Sequence, residues 1–279
     1  MRRKEAGRTA ILLMLAAVIA SLCVLSSSCT PGTEPGTDGG ELPRYIIHGA
    51  GRLTGTGYYG NIRTFAVSNS REGLEECAKR GCRFIEMDFS FTSDGALVCL
   101  HNWSHYYSDD IVTGVPLSYE EFMATRIFRL FTPASLGDVV GFLEENEGVS
   151  IITDTKESNA DVLRYIAERY PEMLDRFIPQ IYSTEEYDAV RAMGFGRIIL
   201  TLYGLPWEEK TDTDAISAFA MSHPLFGITF PKELCEIDGY VDGLLRAGTP
   251  LFVHTVNGGE EQSSFFDMGI TAVYTDEIK

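Results

Sequence analysis

Residues 81–101 read GCRFIEMDFSFTSDGALVCLH, and the polar residues inside this stretch decide the fold. The run RFIEMDF (83–89) is strand-like, with Glu86 and Asp88 two residues apart. Side chains at i and i+2 of a strand share a face, so the two carboxylates point the same way. The TSDG turn follows at 92–95, and ALVCLH (96–101) is a second short apolar run that ends on His101.

Working outward, similar runs recur on both sides. They are YIIH (45–48), VSIITDT (149–155), RFIPQIY (176–182), RIILTLY (197–203), FGITF (226–230), PLFVHTV (250–256) and TAVYT (271–275). Helical patterns lie between most of them, at 70–81, 135–148, 160–170, 184–194 and 238–248, and several end at Gly. Alternation of this kind in one domain predicts a parallel sheet covered by helices. The chain has 279 residues, and at this length the expected α/β architecture is a single (β/α)8 TIM barrel. Nine strand candidates compete for eight places, so one of them should be a hairpin arm or a closing piece.

Barrel enzymes place their chemistry at the C-terminal ends of the strands. His48 ends the first run, Glu86 and Asp88 lie in the second, and His101 ends the third. Asp154 and Lys156 close the fourth at i, i+2 spacing, and His254 and Asn257 close the eighth. Any one of these can be a hydrogen-bonded strand-end group. Together they form a set: three carboxylates make an oxygen-rich cradle for Mg²⁺ or Ca²⁺. Two histidines suit proton transfer near neutral pH. Lys156 adds positive charge where an anionic transition state develops. The layout predicts phosphodiester cleavage.

Lys plus Arg number 23 against 40 Asp plus Glu, a formal net charge of −17. A surface this acidic argues against gripping nucleic acid by its phosphates. The N-terminus is different. Arg2, Arg3, Lys4 and Arg8 precede an uncharged apolar run at 9–25, then Ser26, Ser27, Ser28 and Cys29. This is the pattern of a secretory signal, and its Ser-Ser-Ser-Cys exit resembles a bacterial lipoprotein signal. We expect residues 1–28 to be a signal peptide and Cys29 to carry the lipid, making this an exported, membrane-anchored lipoprotein. The other reading is an uncleaved helix of minimal spanning length. Residues 29–43 hold Gly, Pro and Thr in TPGTEPGTDGG and should be a flexible tether. The barrel should occupy 44–279. Cys77, Cys82, Cys99 and Cys235 lack zinc spacing and do not form a disulfide framework.

The segments HGAGR, SNSREGLEECAKRGCRFIEMDFSFTSDGALVCLHN, TDTK, HTVN and VYTD resemble the glycerophosphodiester phosphodiesterase family over about residues 44–279. The related phosphatidylinositol-specific phospholipases C share the barrel of that family. The resemblance implies one divalent cation, with Glu86 and Asp88 as ligands and Asp154 in place of the usual third Glu. It implies His48 and His101 as the catalytic histidines and Lys156 as the catalytic lysine. The family's Glu-Asn-Thr segment matches Ser68, Asn69 and Ser70. Arg52, Asn69, His254 and Asn257 are the expected substrate-binding residues. The implied substrate is a glycerophosphodiester or a phospholipid headgroup.

The departures are specific. Gly49 stands where the family has a phosphate-gripping Arg, so Arg52 would have to reach in. Asn102 stands where it has Asp. The late Trp-Thr-Val-Asn is His254-Thr255-Val256-Asn257. The aromatic segment Trp103, His105, Tyr106 and Tyr107, with Asp109 and Asp110, can either line a headgroup pocket or pack as loop. His223 is expected to be structural or exposed. The alternative reading is a non-catalytic lipoprotein that binds a phosphorylated ligand on a degenerate barrel.

Overall fold

The computed structural model describes residues 42–56, 62–104 and 114–279. The leader (1–28), Cys29 with most of the tether, and residues 105–113, which include His105, Tyr106, Tyr107, Asp109 and Asp110, lie outside the described residues.

The strands in chain order are β1 (Tyr45–Ile47), β2 (Leu53–Thr56), β3 (Ile62–Phe65), β4 (Phe84–Phe91), β5 (Leu97–Cys99), β6 (Ser150–Thr155), β7 (Phe177–Ile181), β8 (Ile199–Thr201), β9 (Gly227–Pro231), β10 (Leu251–His254) and β11 (Ala272–Thr275). Eight of them run parallel in the order β1, β11, β10, β9, β8, β7, β6, β4, and β1 also pairs with β4 to close the barrel. The surplus ninth candidate is β5. It pairs antiparallel with β4, Phe89 opposite Cys99 and Phe91 opposite Leu97, as the arm of a hairpin. A second antiparallel hairpin, β2 with β3, is inserted after β1. No expectation from the sequence covered it.

Helices fill the connections. The first, α1 (Arg71–Arg80), starts at Ser70, whose hydroxyl accepts from the Gly73 N–H, and ends at Gly81 in the left-handed region (φ 71°). The helix Leu136–Glu145 opens with a capping box of Ser135 and Asp138. It buries Leu136, Val139, Val140 and Leu143, the i, i+3, i+4, i+7 stripe of a helix lying on a sheet. Helices also cover Asn159–Arg169, Tyr187–Ala192 and Tyr240–Leu245, near their expected positions. Those that the sequence reading did not name are Tyr119–Ala124, Trp207–Thr211, Thr213–Ser222 and Gly259–Asp267. Among the described residues no helix is long and apolar enough to cross a membrane.

The strand period of two sorts the core. Ile85, Met87 and Phe89 face outward and pack under the helices with Leu74, Val139, Leu143 and Ile166. Inside the barrel Ile46, Phe84, Ile152, Ile178, Ile199 and Phe252 form an apolar plug. A Cβ on Gly227 would lie 2.2 Å from the Phe252 ring, so the plug needs a residue without a side chain on β9. Two residues further along each strand the interior turns polar: Glu86, Asp154, Gln180, Thr201 and His254. The site therefore sits directly above the plug. Trp103 packs in a satellite cluster, edge-on to Phe122 with its Nε1–H donating to the Phe91 carbonyl at 2.9 Å. His223 stacks on Phe219 at 4.1 Å between ring centroids. Cys77, Cys82, Cys99 and Cys235 are all free thiols.

Candidate active site

The first strand ends at Ile47 and the chain turns through one 3₁₀ turn, His48–Ala50. Gly49 adopts φ +53°, and a Cβ there would lie 2.2 Å from Val67 Cγ1. The turn thus excludes any side chain at this position, an Arg included. In return the Gly49 N–H donates to Glu86 Oε2 at 2.7 Å. His48 Nδ1 is 2.8 Å from Asp276 Oδ1, just beyond the end of β11. The other Asp276 oxygen accepts from Asn257 Nδ2 at 2.8 Å and from Arg52 Nη2 at 3.5 Å. Asn257 Oδ1 in turn accepts the Asp276 N–H at 2.8 Å. Burial opposes a charge on His48. The hydrogen bond to Asp276 and the nearby Glu86 and Asp88 outweigh it and lift the imidazole to about 9. Asp276 is held low despite burial, by its bonds to His48 and Asn257.

Glu86, Asp88 and Asp154 each present a carboxylate oxygen to a common point, all within 4.8 Å of one another. Glu86 and Asp88 are buried. Burial first, then their neighbouring carboxylates, pushes both well above or above the usual carboxylate range. Asn69 holds Asp88 from both sides: its Nδ2 donates to Oδ2 at 2.8 Å, and its Oδ1 accepts the Asp88 N–H at 3.1 Å. The other oxygen, Asp88 Oδ1, is buried without a hydrogen-bond partner. Buried polar atoms are nearly always paired. Three converging carboxylates with an orphaned oxygen fit a hard divalent cation.

Asp154 is braced on its far side by Tyr182 and by Lys156, whose Nζ lies 2.6 Å from Asp154 Oδ2 and 2.6 Å from the Tyr203 hydroxyl. Burial works against the ammonium, but Asp154 outweighs it and Lys156 is shifted upward. His101 follows β5, with its Nδ1 2.7 Å from Asn102 Nδ2. These groups surround a cleft of about 170 Å³ lined by His48, Glu86, His101, Asp154, Lys156 and Tyr203, and by His254 and Tyr274. Burial and the adjacent His48 depress His254 to about 4, so it is neutral at pH 7. The cleft offers a cation cradle, a lysine and two histidines to an anionic ligand.

No protein-family model matches the chain, and no curated protein matches it by sequence. Solved structures do. A glycerophosphodiester phosphodiesterase from Thermotoga maritima is similar with 16% identity and a TM-score of 0.61, covering 84% of this chain and 94% of its own. One from Parabacteroides distasonis shares 17% identity at TM-score 0.62, covering 85% and 94%. A phosphodiesterase from Oleispira antarctica, in complex with the product sn-glycerol-3-phosphate, shares 15% at TM-score 0.61, covering 84% and 93%. This is the glycerophosphodiester phosphodiesterase fold.

Within the glycerophosphodiester phosphodiesterase fold, the expected residues divide into two groups. His48, Glu86, His101, Asp154, Lys156 and His254 line the cleft, with Asp88 beneath it. Arg52, Asn69 and Asn257, expected against substrate, each donate to a carboxylate: Arg52 and Asn257 to Asp276, Asn69 to Asp88. A buried carboxylate needs such donors. The reading of the sequence missed Asp276, Tyr182 and Tyr203. Both tyrosines are the last residues of their apolar runs, at 176–182 and 197–203. The strand-end rule that singled out His48 applies to them equally. Asp276 closes the VYTD segment, and only its pairing with a residue 228 positions away gives it a role.

Proposed function

We propose that this barrel hydrolyses glycerophosphodiesters, using one divalent cation, Mg²⁺ or Ca²⁺, held by Glu86, Asp88 and Asp154. The observation that carries the reading is the meeting of three carboxylates, Lys156, His48 and His101 on one small cleft. Its 170 Å³ is below the roughly 300–1,000 Å³ of pockets for drug-sized ligands. That size suits a glycerol phosphate or a compact headgroup rather than a whole phospholipid. The product bound in the Oleispira phosphodiesterase is of this class.

When bound, the cation would neutralise phosphate oxygens and stabilise the charge that develops on them. The chain's own residues do the rest. Lys156, held by Asp154 and Tyr203, adds positive charge beside the phosphate. One histidine takes the proton of the substrate hydroxyl next to the phosphate, and that oxygen attacks phosphorus. The P–O bond to the leaving alcohol breaks, and that oxygen takes up a proton from the other histidine. Water then opens the cyclic phosphate. Asp276 fixes the His48 ring through Nδ1, and Asn257 fixes Asp276. By the leader reading, the domain works outside the cytoplasm on a tether at Cys29.

The test is turnover of a chromogenic phosphodiester by residues 29–279, with and without EDTA. We expect EDTA-sensitive hydrolysis, lowered about 10²–10⁴-fold in kcat by His48→Ala. No turnover of any phosphodiester, with phosphate esters still bound, would favour the non-catalytic reading, to which the Gly49 and Asn102 departures belong.

A further inference from the structure

The helix α1 closes with the sequence CAKRGC at 77–82. Gly81 takes the left-handed conformation. Its N–H donates to the Ala78 carbonyl at 3.0 Å, and the Cys82 N–H reaches back to the Cys77 carbonyl at 2.9 Å. These two bonds are the Schellman arrangement, which brings together the side chains of the residue before the bracket closes and the residue after the glycine. An apolar pair ordinarily fills those two places. Here both are cysteines, and their thiols hydrogen-bond to each other. The surroundings of the two differ. Cys77 is fully buried, with its Sγ 3.8 Å from the Ala50 carbonyl oxygen. Cys82 lines a second cavity of about 160 Å³, by the N-terminal ends of β1 and β4, which also carries Arg44, Arg83 and Lys279. Their mutual contact lowers the Cys82 thiol and raises that of Cys77. One thiol therefore ionises more easily and meets a cavity, and the other stands directly behind it. That is the division between an attacking and a resolving cysteine.

We propose that Cys77 and Cys82 are a modification site, closing into a disulfide across the end of α1 when the chain meets an external disulfide as oxidant. The cap geometry carries the bond; that the chain works among such oxidants, outside the cytoplasm, rests on the leader reading. A disulfide needs Cα atoms about 4.4–6.8 Å apart. The 2.9 Å bond from the Cys82 nitrogen to the Cys77 oxygen keeps the two Cα atoms below that upper limit, by covalent geometry. In the first step the Cys82 thiol loses its proton and attacks one sulfur of the external disulfide, whose S–S bond breaks and releases a thiolate. The Cys77 thiol then loses its proton and attacks Cys82 Sγ, and the second external thiolate leaves. The two protons go to the two released thiolates. The pair is oxidised by two electrons and the external disulfide is reduced to two thiols. Only weak S–H contacts, to Ala50 and to the Lys279 carbonyl, are given up. The bond would fasten the helix that begins beside Asn69, the donor to Asp88, and that leads into β4 with Glu86 and Asp88.

The experiment treats the detergent-solubilised full chain, folded and first reduced, with oxidised glutathione, blocks the remaining thiols with N-ethylmaleimide under denaturing conditions and digests with trypsin. Trypsin cuts after Lys79 and Arg80, between the two cysteines. In the wild type we expect residues 72–79 and 81–83 to be recovered as one disulfide-linked species, with Cys99 and Cys235 alkylated. In Cys77→Ala, which has no resolving thiol, glutathione should stay on Cys82; in Cys82→Ala, Cys77 should stay unmodified until the chain is denatured. Reducing the oxidised wild type with dithiothreitol should lower Tm by about 5 °C, the effect of opening a short cross-linked loop in a domain of this size, and should leave Cys82→Ala unmoved. A lasting glutathione adduct on wild-type Cys82, two unreacted thiols, or a bond from either cysteine to Cys99 or Cys235 overturns the proposal. A bond that forms but lowers Tm would mean that the cap must distort to make it, and overturns the proposal as well. The compartment is tested separately, by the fate of Cys29, so failure of the leader reading leaves this result standing.

Discussion

At the scale of single residues, the site turns on what each side chain is given to hold. His48 is the clearest case. Its folded value of about 9 lies above the ordinary 6.5 because Asp276, Glu86 and Asp88 together outweigh burial. The sign follows from linkage: a raised histidine favours the folded state fully below pH 6.5, and that contribution is lost as pH rises through about 9. We expect the His48 ring of the cation-free protein to titrate near 9 by NMR. Asp276→Asn should bring it down, and Mg²⁺ or Ca²⁺ should do the same by neutralising Glu86 and Asp88. A cation-free wild type that titrates near 6.5, unchanged in Asp276→Asn, would contradict the pairing. Gly49 works by omission. Its positive φ and the nearness of Val67 leave no room for a phosphate-gripping side chain, and its N–H goes to Glu86 instead. Arg52, which would have to supply that grip, lies 3.5 Å from Asp276 Oδ2.

At the scale of elements, β4 and β6 are adjacent and in register, with Asp88 paired to Asp154 and Glu86 to Ile152. Like charges directly opposite on neighbouring strands repel, and here the strands are also buried. Glu86 is consequently raised well above its usual value, by burial first and then by Asp88. A raised carboxyl favours the folded state only at low pH, and that benefit is lost as pH climbs from its unfolded value through its folded one. At neutral pH the empty cradle therefore costs stability. We expect Mg²⁺ or Ca²⁺ to raise Tm; at 100 times Kd the gain is about 2.7 kcal/mol. Glu86→Gln should raise Tm in EDTA and abolish most of the cation-induced rise. If neither cation at millimolar concentration moves Tm, and Glu86→Gln is destabilising in EDTA, the cradle is not a cation site.

At the scale of the whole molecule, a chain of net charge −17 concentrates Lys156 and a cationic His48 at one barrel mouth. An anionic ligand is repelled by most of the surface, and at the mouth these two groups and a cation held by the three carboxylates would offset that repulsion; screening by salt weakens both effects. The leader reading bears on where that mouth works. If Cys29 is lipidated, its acyl chains supply the anchor, and Cys29→Ser should move the protein from the membrane fraction to the soluble one on fractionation. A Ser variant that stays with membranes would mean that residues 9–25 are themselves the anchor.

The sequence by itself determined the barrel and the polar layer at its mouth. Both are periodic: strand runs recur along the chain, and a residue two places beyond an inward apolar one also points inward. Glu86, Asp154 and His254 follow from this, two positions past Phe84, Ile152 and Phe252. The count of nine strand candidates for eight places likewise showed that one was surplus, and it is the β5 arm. Only the tertiary structure decided which polar groups meet. The Asp276–His48 pair spans 228 positions and the Tyr182–Asp154 pair spans 28. Neither partner carries a local signal of the other, because barrel closure and strand neighbours bring them together. It was tertiary structure, too, that set Arg52, Asn69 and Asn257 against carboxylates. A buried carboxylate without donors is costly, and these three side chains donate to Asp276 and Asp88.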